Sequence, residues 1–233
     1  MPGRRDSLYG RRKGKPLSPR RAGLMATEFP KLAIDTAISR PADLACLFAG
    51  APSRIRLEIG FGGGEHLIGA ARRAPDVGFI GIEPFLNGMA KAVAAVVEGG
   101  LHNVRLYSGE ASVLIDWLPE KSLETVDILY PDPWPKKRHW KRRFISNENL
   151  DRLARVLKPR GLVRFASDIP SYVAWTLALV SQRRDLEWTA EKADDWLNPF
   201  GDWPGTRYEA KALKAGRTPT YLTFRRASNV RSP

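Results

Sequence analysis

The stretch Arg54-Ile-Arg-Leu-Glu-Ile-Gly-Phe-Gly-Gly-Gly-Glu-His-Leu67 decides how this chain folds. Its first part alternates apolar with other side chains, which predicts a β-strand, and the glycines that follow end any regular element. An apolar run with helical spacing begins at Leu67. Strand, glycine turn and helix open a doubly wound α/β domain, in which ligands bind at the carboxyl ends of the strands. We therefore expect a ligand at the glycine turn.

The spacing of the glycines indicates which ligand binds there. A dinucleotide fingerprint has the pattern Gly-x-Gly-x-x-Gly, but Glu65 occupies the place of the third glycine, and a carboxylate there would repel a pyrophosphate. Glu58 precedes Gly60, Gly62 and Gly64. This Glu-x-Gly-x-Gly-x-Gly pattern resembles motif I of class I S-adenosylmethionine-dependent methyltransferases, whose cofactor is a sulfonium cation without phosphate. A dinucleotide site and a glycine turn without a ligand are the alternatives.

Composition limits the class of protein. A chain of 233 residues suffices for one sizeable α/β domain and a short extension. The net charge of +13 favours a polyanionic partner, nucleic acid before an anionic membrane. The single cysteine, Cys46, excludes an intramolecular disulfide and a thiolate metal cluster, and we expect it to be buried as a small hydrophobe. Without a long apolar run or a secretory signal, a cytoplasmic protein without metal is expected.

The chain divides into three parts. Residues 1–27 carry many arginines and lysines among glycines and prolines, which predicts a disordered basic arm that contacts phosphates or only improves solubility. The folded domain is expected from residue 28 to residue 226, with a frayed tail over 227–233. Within the domain, apolar segments that alternate with helical patterns predict strands at 54–59, 78–83, 103–107, 125–130, 162–166, 185–190 and 220–224.

Two acidic residues follow the second and third predicted strands. Glu83 lies about twenty residues beyond the turn, where an acidic side chain binds the hydroxyls of a ribose in nucleotide-binding α/β domains. A surface glutamate at a strand end is the alternative. Glu110 follows the third strand together with small residues, which suits a contact with adenine.

A proline-rich loop, Pro131-Asp-Pro-Trp-Pro135, follows the fourth predicted strand. Prolines fix φ and continue neither a strand nor a helix, so this loop is stiff. It holds Asp132 and Trp134 at the carboxyl end of a strand, next to the expected ligand pocket. A rigid carboxylate beside a large aromatic ring suits the binding of a planar base. A proline turn around a packed tryptophan is the alternative.

A strongly basic segment, 136–143, follows this loop and contains His139 and Trp140. Basic side chains bind phosphates, and an aromatic ring can stack on a splayed base, which favours contact with RNA or DNA over a solvated charge run. Asp168 follows the fifth predicted strand. It is a candidate for the substrate side of the site or, alternatively, a cap for the helix that follows.

Four segments together resemble one family, the bacterial tRNA (guanine-N7-)-methyltransferases of the TrmB type. They are the glycine turn, Tyr130–His139, Ala166–Asp168 and Thr206–Glu209, within a resemblance from Phe29 to Phe224. The resemblance implies a Rossmann-like class I methyltransferase sheet of seven mostly parallel strands, with helices on both faces and a reversed last strand. It also implies transfer of a methyl group from S-adenosylmethionine to N7 of guanine 46 in the variable loop of tRNA.

The resemblance assigns roles by position. Asp132 falls at the catalytic position. The cofactor positions are Glu58, Gly60, Gly62, Gly64, Glu83, Glu110 and Asp132. The substrate positions are Lys136, Asp168, Thr206, Arg207, Tyr208 and Glu209. The positions that contact RNA are Arg138, His139, Trp140, Lys141, Arg142 and Arg143.

Three other functions explain the sequence less well. Asp132-Pro133-Trp134 also resembles the Asp-Pro-Pro-aromatic loop of exocyclic-amine methyltransferases, but a single proline before the aromatic and the basic segment after it favour guanine N7. A non-enzymatic RNA-binding module would not need the acidic set at the glycine turn. A NAD-dependent oxidoreductase is disfavoured by Glu65 and by the net charge. The sequence leaves the oligomeric state open between monomer and homodimer.

Overall fold

The computed structural model describes residues 14–228, which form an α/β fold around one sheet. The strands are β1 (Arg54–Ile59), β2 (Val77–Ile82), β3 (Val104–Tyr107), β4 (Leu123–Leu129), β5 (Leu157–Ser167), β6 (Leu186–Trp188) and β7 (Thr220–Arg226). The helices are α1 (Pro19–Thr27), α2 (Phe29–Leu32), α3 (Glu65–Arg73), α4 (Leu86–Glu98), α5 (Ala111–Trp117), α6 (Asn147–Val156), α7 (Pro170–Val180), α8 (Asp194–Leu197) and α9 (Arg207–Lys214). Two 3-10 turns span Leu44–Leu47 and Lys137–Arg142.

The sheet has the strand order β3-β2-β1-β4-β5-β7-β6. The first five strands run parallel, whereas β7 is antiparallel to both of its neighbours. The predicted mostly parallel sheet of seven strands with a reversed last strand is therefore confirmed. Chain winding reverses between β1 and β4, so their carboxyl ends form the topological switch point where ligands bind in such sheets.

Apolar side chains cover both faces of the sheet. One cluster joins β1 to helices α5, α6 and α7 through residues such as Leu57, Leu114 and Leu153. The other joins β2 to α3 and α4 through residues that include Leu67 and Met89. Burial on both faces explains why β2 reads as a continuous apolar segment rather than an alternating one.

The prediction that disorder extends to residue 27 is wrong where the structure describes this arm. Pro19–Thr27 form α1, whose Leu24 and Met25 pack against the cluster on α3 and α4. Arg20 also donates a 2.6 Å hydrogen bond to Glu98 of α4. The sequence of the arm shows its basic composition, but it does not show that α3 and α4 offer an apolar surface on which Leu24 and Met25 pack. Residues 1–13 and 229–233, with most of the predicted tail, lie outside the described residues.

Cys46 is exposed, so the prediction that it is buried is wrong. Within the 3-10 turn Leu44–Leu47, Leu44 is the buried residue and Cys46 faces solvent. Within residues 14–228, no helix combines the length and the apolar character that crossing a bilayer requires.

Candidate active site

Glu83, the residue after β2, holds the glycine turn. Its Oε2 accepts a hydrogen bond from the N–H of Gly62 at 2.6 Å, and its Oε1 accepts one from the N–H of Phe85 at 2.9 Å. Burial raises the pKa of the Glu83 carboxyl, and these two N–H donors oppose the rise. Gly62 has a φ of +60°, which side chains disfavour. The carboxylate therefore has a fixed direction beside the turn, as a ribose contact requires.

Helix α4 packs directly on this turn. A Cβ at Gly88 would lie 2.1 Å from the carbonyl oxygen of Gly62, so only glycine permits the approach. Asn87, in the first turn of α4, accepts a hydrogen bond from the N–H of Gly14 and donates one to the carbonyl of Lys15, both at 2.8 Å. Gly14 and Lys15, which precede α1, therefore lie against the first turn of α4, next to the glycine turn.

Glu58 lies on β1, just before the glycine turn. Its Oε2 is 2.7 Å from Nδ1 of His66 in α3, and its side chain is 5% exposed. Burial lowers the pKa of His66, but the charge and the hydrogen bond of Glu58, together with the charge of Asp127, outweigh it, and the pKa lies above the ordinary 6.5. Glu58 therefore fixes α3 to β1, and a direct contact of Glu58 with the cofactor stays a prediction.

Glu110 stands at the end of the neighbouring strand. It follows β3, precedes α5 and is partly exposed. The N–H of Glu83 donates to the carbonyl of Tyr107 at 3.1 Å, which joins the ends of β2 and β3. Glu83 and Glu110 therefore occupy the same edge of the sheet, as parallel strands require.

A strained loop carries Asp132 at the end of β4. Tyr130 and Trp134 have φ values of +50° and +42°, a conformation that is uncommon for residues with side chains. The N–H of Tyr130 donates to the carbonyl of Ala166 in β5 at 2.8 Å, which fixes the start of the loop. Asp132 is exposed and close enough to Glu83 to contribute to the raised pKa of that carboxyl. The two carboxylates therefore lie near each other across the switch point.

Arg143 holds the other side of this loop. Its Nε donates to the carbonyl of Pro133 at 3.0 Å, and its two terminal nitrogens donate to the carbonyl and the hydroxyl of Ser171 at 2.9 and 3.1 Å. Its guanidinium lies 4.3 Å from the ring centroid of Trp140 and 4.7 Å from that of Tyr172. Arg143 is only 3% exposed, and its contact with RNA stays a prediction. Its donors are used to fix the Asp132 loop.

Two other residues of the basic segment contact Trp134. The guanidinium of Arg142 lies 5.0 Å from the centroid of the Trp134 ring, and His139 meets the same ring edge-on at 5.9 Å. Arg138 and Lys141 are exposed on the 3-10 turn. Their exposure next to the Asp132 loop is compatible with phosphate contacts.

Two further members of the predicted set lie just before this turn and within it. Lys136 is exposed just before it. Trp140 is only partly exposed, because its ring packs edge-on against Trp175 at 5.6 Å. Part of the Trp140 ring therefore belongs to the protein interior, which limits the surface on which a base could stack.

Asp168 pairs with a side chain from beyond α9. Its Oδ2 accepts a hydrogen bond from Nε of Arg217 at 2.5 Å. The N-cap residue of α7 is Ile169, and no side chain caps that helix, so the alternative role of Asp168 as a cap is not observed. Asp168 therefore joins the carboxyl end of β5 to the chain segment after α9.

The segment Thr206–Glu209 forms the start of α9. The hydroxyl of Thr206 accepts a hydrogen bond from the N–H of Glu209 at 3.1 Å and caps the helix. The Glu209 carboxylate is buried and accepts hydrogen bonds from Trp203 at 2.7 Å and from Tyr221. Contact of Glu209 with the substrate stays a prediction, and the structure shows two protein donors on its carboxylate.

Arg207 and Tyr208 lie over the glycine turn. A Cβ built at Gly62 would lie 3.1 Å from the Tyr208 ring and 3.2 Å from the Arg207 guanidinium. The hydroxyl of Tyr208 accepts a hydrogen bond from Arg207 at 3.1 Å. The predicted substrate segment and the predicted cofactor turn are therefore in contact.

The structure also shows a cluster of two arginines and two aspartates that the sequence analysis did not predict. It comprises Arg56, Asp127, Arg164 and Asp202. Asp127 accepts hydrogen bonds from Arg164 at 2.6 Å and from Arg56 at 3.1 Å. Asp202 also accepts from both arginines. Burial raises the pKa of Asp127 to about 6, against the attraction of Arg56. A charged residue inside each of three buried strands is the sequence signal that indicates such a cluster.

Among residues 14–228, no group of three or more His, Cys, Asp and Glu side chains is arranged to hold a metal ion.

Comparison with known proteins gives two kinds of likeness. The family described as putative methyltransferase matches residues 52–222. A tRNA (guanine-N(7)-)-methyltransferase of Rhizobium meliloti (strain 1021) is 55% identical over 95% of this chain and 96% of its own length. One of Chelativorans sp. (strain BNC1) is 53% identical over 94% of each chain.

Solved structures share the fold at low sequence identity. The crystal structure of the 16S rRNA methyltransferase KamB superposes with a TM-score of 0.55 at 16% identity, over 76% of this chain and 89% of that chain. This likeness concerns the fold alone, whereas the family match and the full-length relatives extend across the whole site. The chain belongs to the tRNA (guanine-N7-)-methyltransferase family.

Proposed function

We propose that the protein transfers the methyl group of S-adenosylmethionine to N7 of guanine 46 in the variable loop of tRNA, forming 7-methylguanosine in the cytoplasm. The observation that carries this proposal is the meeting of three features at the switch point. Asp132 lies near Glu83, Glu83 holds the glycine turn, and Arg207 and Tyr208 rest against that turn. The names of the full-length relatives support the choice of tRNA and of guanine N7.

The residues at the glycine turn fit a nucleoside cofactor. The open space at Gly60 and the fixed carboxylate of Glu83 suit a ribose, and Glu110 stands at the next strand end for the base. Glu65 follows the turn and disfavours a pyrophosphate. S-adenosylmethionine, when bound, supplies an electrophilic methyl group on a sulfonium. The chain's own part is to hold it in one orientation.

Asp132 acts on the acceptor base. Guanine N7 carries a lone pair and no proton, so its attack does not need a general base. Catalysis is then mainly alignment of N7 with the methyl group and the sulfur. The base gains positive charge during transfer, and a carboxylate placed nearby stabilises that charge or accepts from the guanine N1 and N2 hydrogens. The hydrogen bonds from the N–H of Tyr130 to Ala166 and from Arg143 to Pro133 hold the loop, and with it Asp132, in place for this role.

The basic segment presents the acceptor. Arg138, Lys141 and Arg142 lie next to the Asp132 loop, which supports their contact with the phosphates of the tRNA. A variable-loop base can be splayed into a pocket without opening a long duplex, which lowers the cost of reaching N7.

Transfer of labelled methyl from S-adenosylmethionine to unmodified tRNA, followed by nucleoside analysis, tests this proposal. Label in 7-methylguanosine is the expected result. Label in a nucleoside methylated on an exocyclic amine would contradict the N7 assignment and favour the rival base methyltransferase. Cofactor binding without any transfer to tRNA would contradict the choice of acceptor.

A further inference from the structure

The loop 198–205, between α8 and α9, is tied to the sheet by Asp202. Its Oδ1 accepts a hydrogen bond from Arg164 at 2.5 Å and its Oδ2 accepts one from Arg56 at 2.8 Å. Its backbone carbonyl accepts another from Arg73 of α3 at 2.8 Å. Hydrogen bonds between a carboxylate and guanidinium groups are charge-assisted and stronger than neutral ones. Asp202 therefore joins this loop to β5, β1 and α3 at once.

Arg56 and Arg164 are themselves held in place by a buried aspartate. Asp127, on β4, lies between them, and its side chain is 3% exposed. Arg56 and Arg164 are 14% and 9% exposed, so neither side chain is free to follow a moving loop. Since β4 pairs with both β1 and β5, the central strands of the sheet set the position of Asp202.

Trp203, the residue after Asp202, connects the loop to residues of the site. The Trp203 ring packs against His66 with 5.2 Å between centroids, and its Nε1 donates to the buried carboxylate of Glu209. The guanidinium of Arg164 also lies 4.7 Å from the centroid of Phe200, earlier in the same loop. The loop is therefore held on both sides of Asp202.

The segment that follows the loop touches the glycine turn. Thr206 begins α9, and Arg207 and Tyr208 lie against Gly62. Any displacement of loop 198–205 therefore moves these side chains relative to the cofactor turn.

We propose that Asp202 is a positioning residue for the acceptor nucleotide, because it fixes loop 198–205 and with it the Thr206–Glu209 segment against the glycine turn. The inference rests on the proposed function, which assigns this segment to the substrate. The carboxylate of Asp202 bonds to arginines of the sheet rather than to the glycine turn. Its loss is therefore expected to affect the acceptor and to leave cofactor binding unchanged.

Asp202→Asn removes the charge at nearly constant volume and provides the test. A misplaced positioning group costs up to about a hundredfold in rate, and we expect kcat/KM for tRNA to fall at least about tenfold. The dissociation constant of S-adenosylmethionine, measured by calorimetry, is expected to change less than about twofold. Asp202→Glu retains the carboxylate and is expected to recover most of the kcat/KM.

The matched control is Asp76→Asn. Asp76 forms an ion pair of 2.6 Å with Arg54, within the 2.5 to 2.8 Å range of the Asp202 pairs, at the opposite end of β1 and away from the site. This variant is expected to retain the wild-type kcat/KM for tRNA. If the wild-type protein and the control transfer no methyl to tRNA, the proposed function is wrong, and amide hydrogen exchange still tests the positioning role.

Amide hydrogen exchange over residues 203–213 supplies that independent measurement. Faster exchange in Asp202→Asn than in Asp76→Asn is the expected result. Unchanged exchange over this segment would overturn the proposal. So would a kcat/KM for tRNA that stays at the wild-type value, or a loss that comes entirely from weaker cofactor binding.

Discussion

The carboxylate of Glu83 accepts a 2.6 Å hydrogen bond from the N–H of Gly62, so the acidic residue after β2 and the glycine turn after β1 form one rigid unit. Helix α4 closes on the same unit through Gly88. The cofactor site therefore depends on the adjacency of two parallel strands, which the order β2-β1-β4 provides.

Glu83→Gln tests this unit. The amide keeps the size of the side chain but offers one oxygen acceptor in place of a carboxylate, which leaves the ribose hydroxyls or the N–H of Gly62 poorly bonded. We expect the dissociation constant of S-adenosylmethionine, measured by calorimetry, to rise by about tenfold or more. Glu98→Gln, which breaks an exposed pair with Arg20 on the other end of α4, is the control and should bind normally.

Asp132→Asn tests the catalytic role. Asp132 is exposed, so the substitution should leave the fold unchanged. Loss of the carboxylate removes stabilisation of the charge that develops on the base, and we expect kcat with bound tRNA to fall by about a hundredfold. Single-turnover methyl transfer at saturating cofactor is the measurement. A variant with full turnover would contradict the role assigned to Asp132.

Arg143→Lys separates loop support from RNA contact. Lysine cannot bond Pro133 and Ser171 together with the planar geometry of the guanidinium. We expect the midpoint of thermal unfolding and kcat to fall, while the affinity for tRNA changes by less than about threefold. Lys141→Met is the control on the exposed side: it should weaken tRNA binding and reduce the salt dependence of that binding, with stability retained. Weaker tRNA binding by Arg143→Lys, with thermal stability and kcat retained, would show instead that Arg143 contacts RNA.

His66→Gln tests the buried pair with Glu58 through its pH dependence. The folded pKa of His66 lies above 6.5 through Glu58 and Asp127, with burial and Arg56 acting against them. The contribution of the pair to stability is therefore fully present below the unfolded pKa and is lost as the pH rises through the folded pKa.

Chemical denaturation at a pH below 6.5 and at a pH above the folded pKa of His66 measures the effect. We expect the wild type to exceed His66→Gln by about 2 kcal/mol in the free energy of unfolding at low pH, and by less at high pH. His102→Gln, at an exposed position, is the control and should change little. A difference between wild type and His66→Gln that is the same at both pH values would contradict the charged pair.

Positions fixed by strand ends are predictable from the sequence. Glu83, Glu110, Asp132 and Asp168 follow β2, β3, β4 and β5, and the structure brings each to the carboxyl edge of the sheet. The reversal of β7 follows only from the family resemblance, because an alternating strand pattern does not specify direction. The longer extent of β5, from Leu157 rather than residue 162, reflects an irregular pairing with β4 that local patterns do not show.

Contacts between distant segments are not predictable in this way. The arginine–aspartate cluster requires knowledge that β4 lies between β1 and β5 and that a loop from far along the chain covers them. Arg143 looks like its basic neighbours in sequence, and only the 3-10 turn directs it inward to Pro133. Packing of this kind, rather than residue type, decides which cation of the segment is structural.

The most direct measurement is a position-resolved map of methylation on unmodified tRNA after incubation with S-adenosylmethionine. The proposed function predicts 7-methylguanosine at position 46 of the variable loop, and no product when adenine replaces guanine at that position. Methylation at another position, or product that persists in the substituted tRNA, would contradict it.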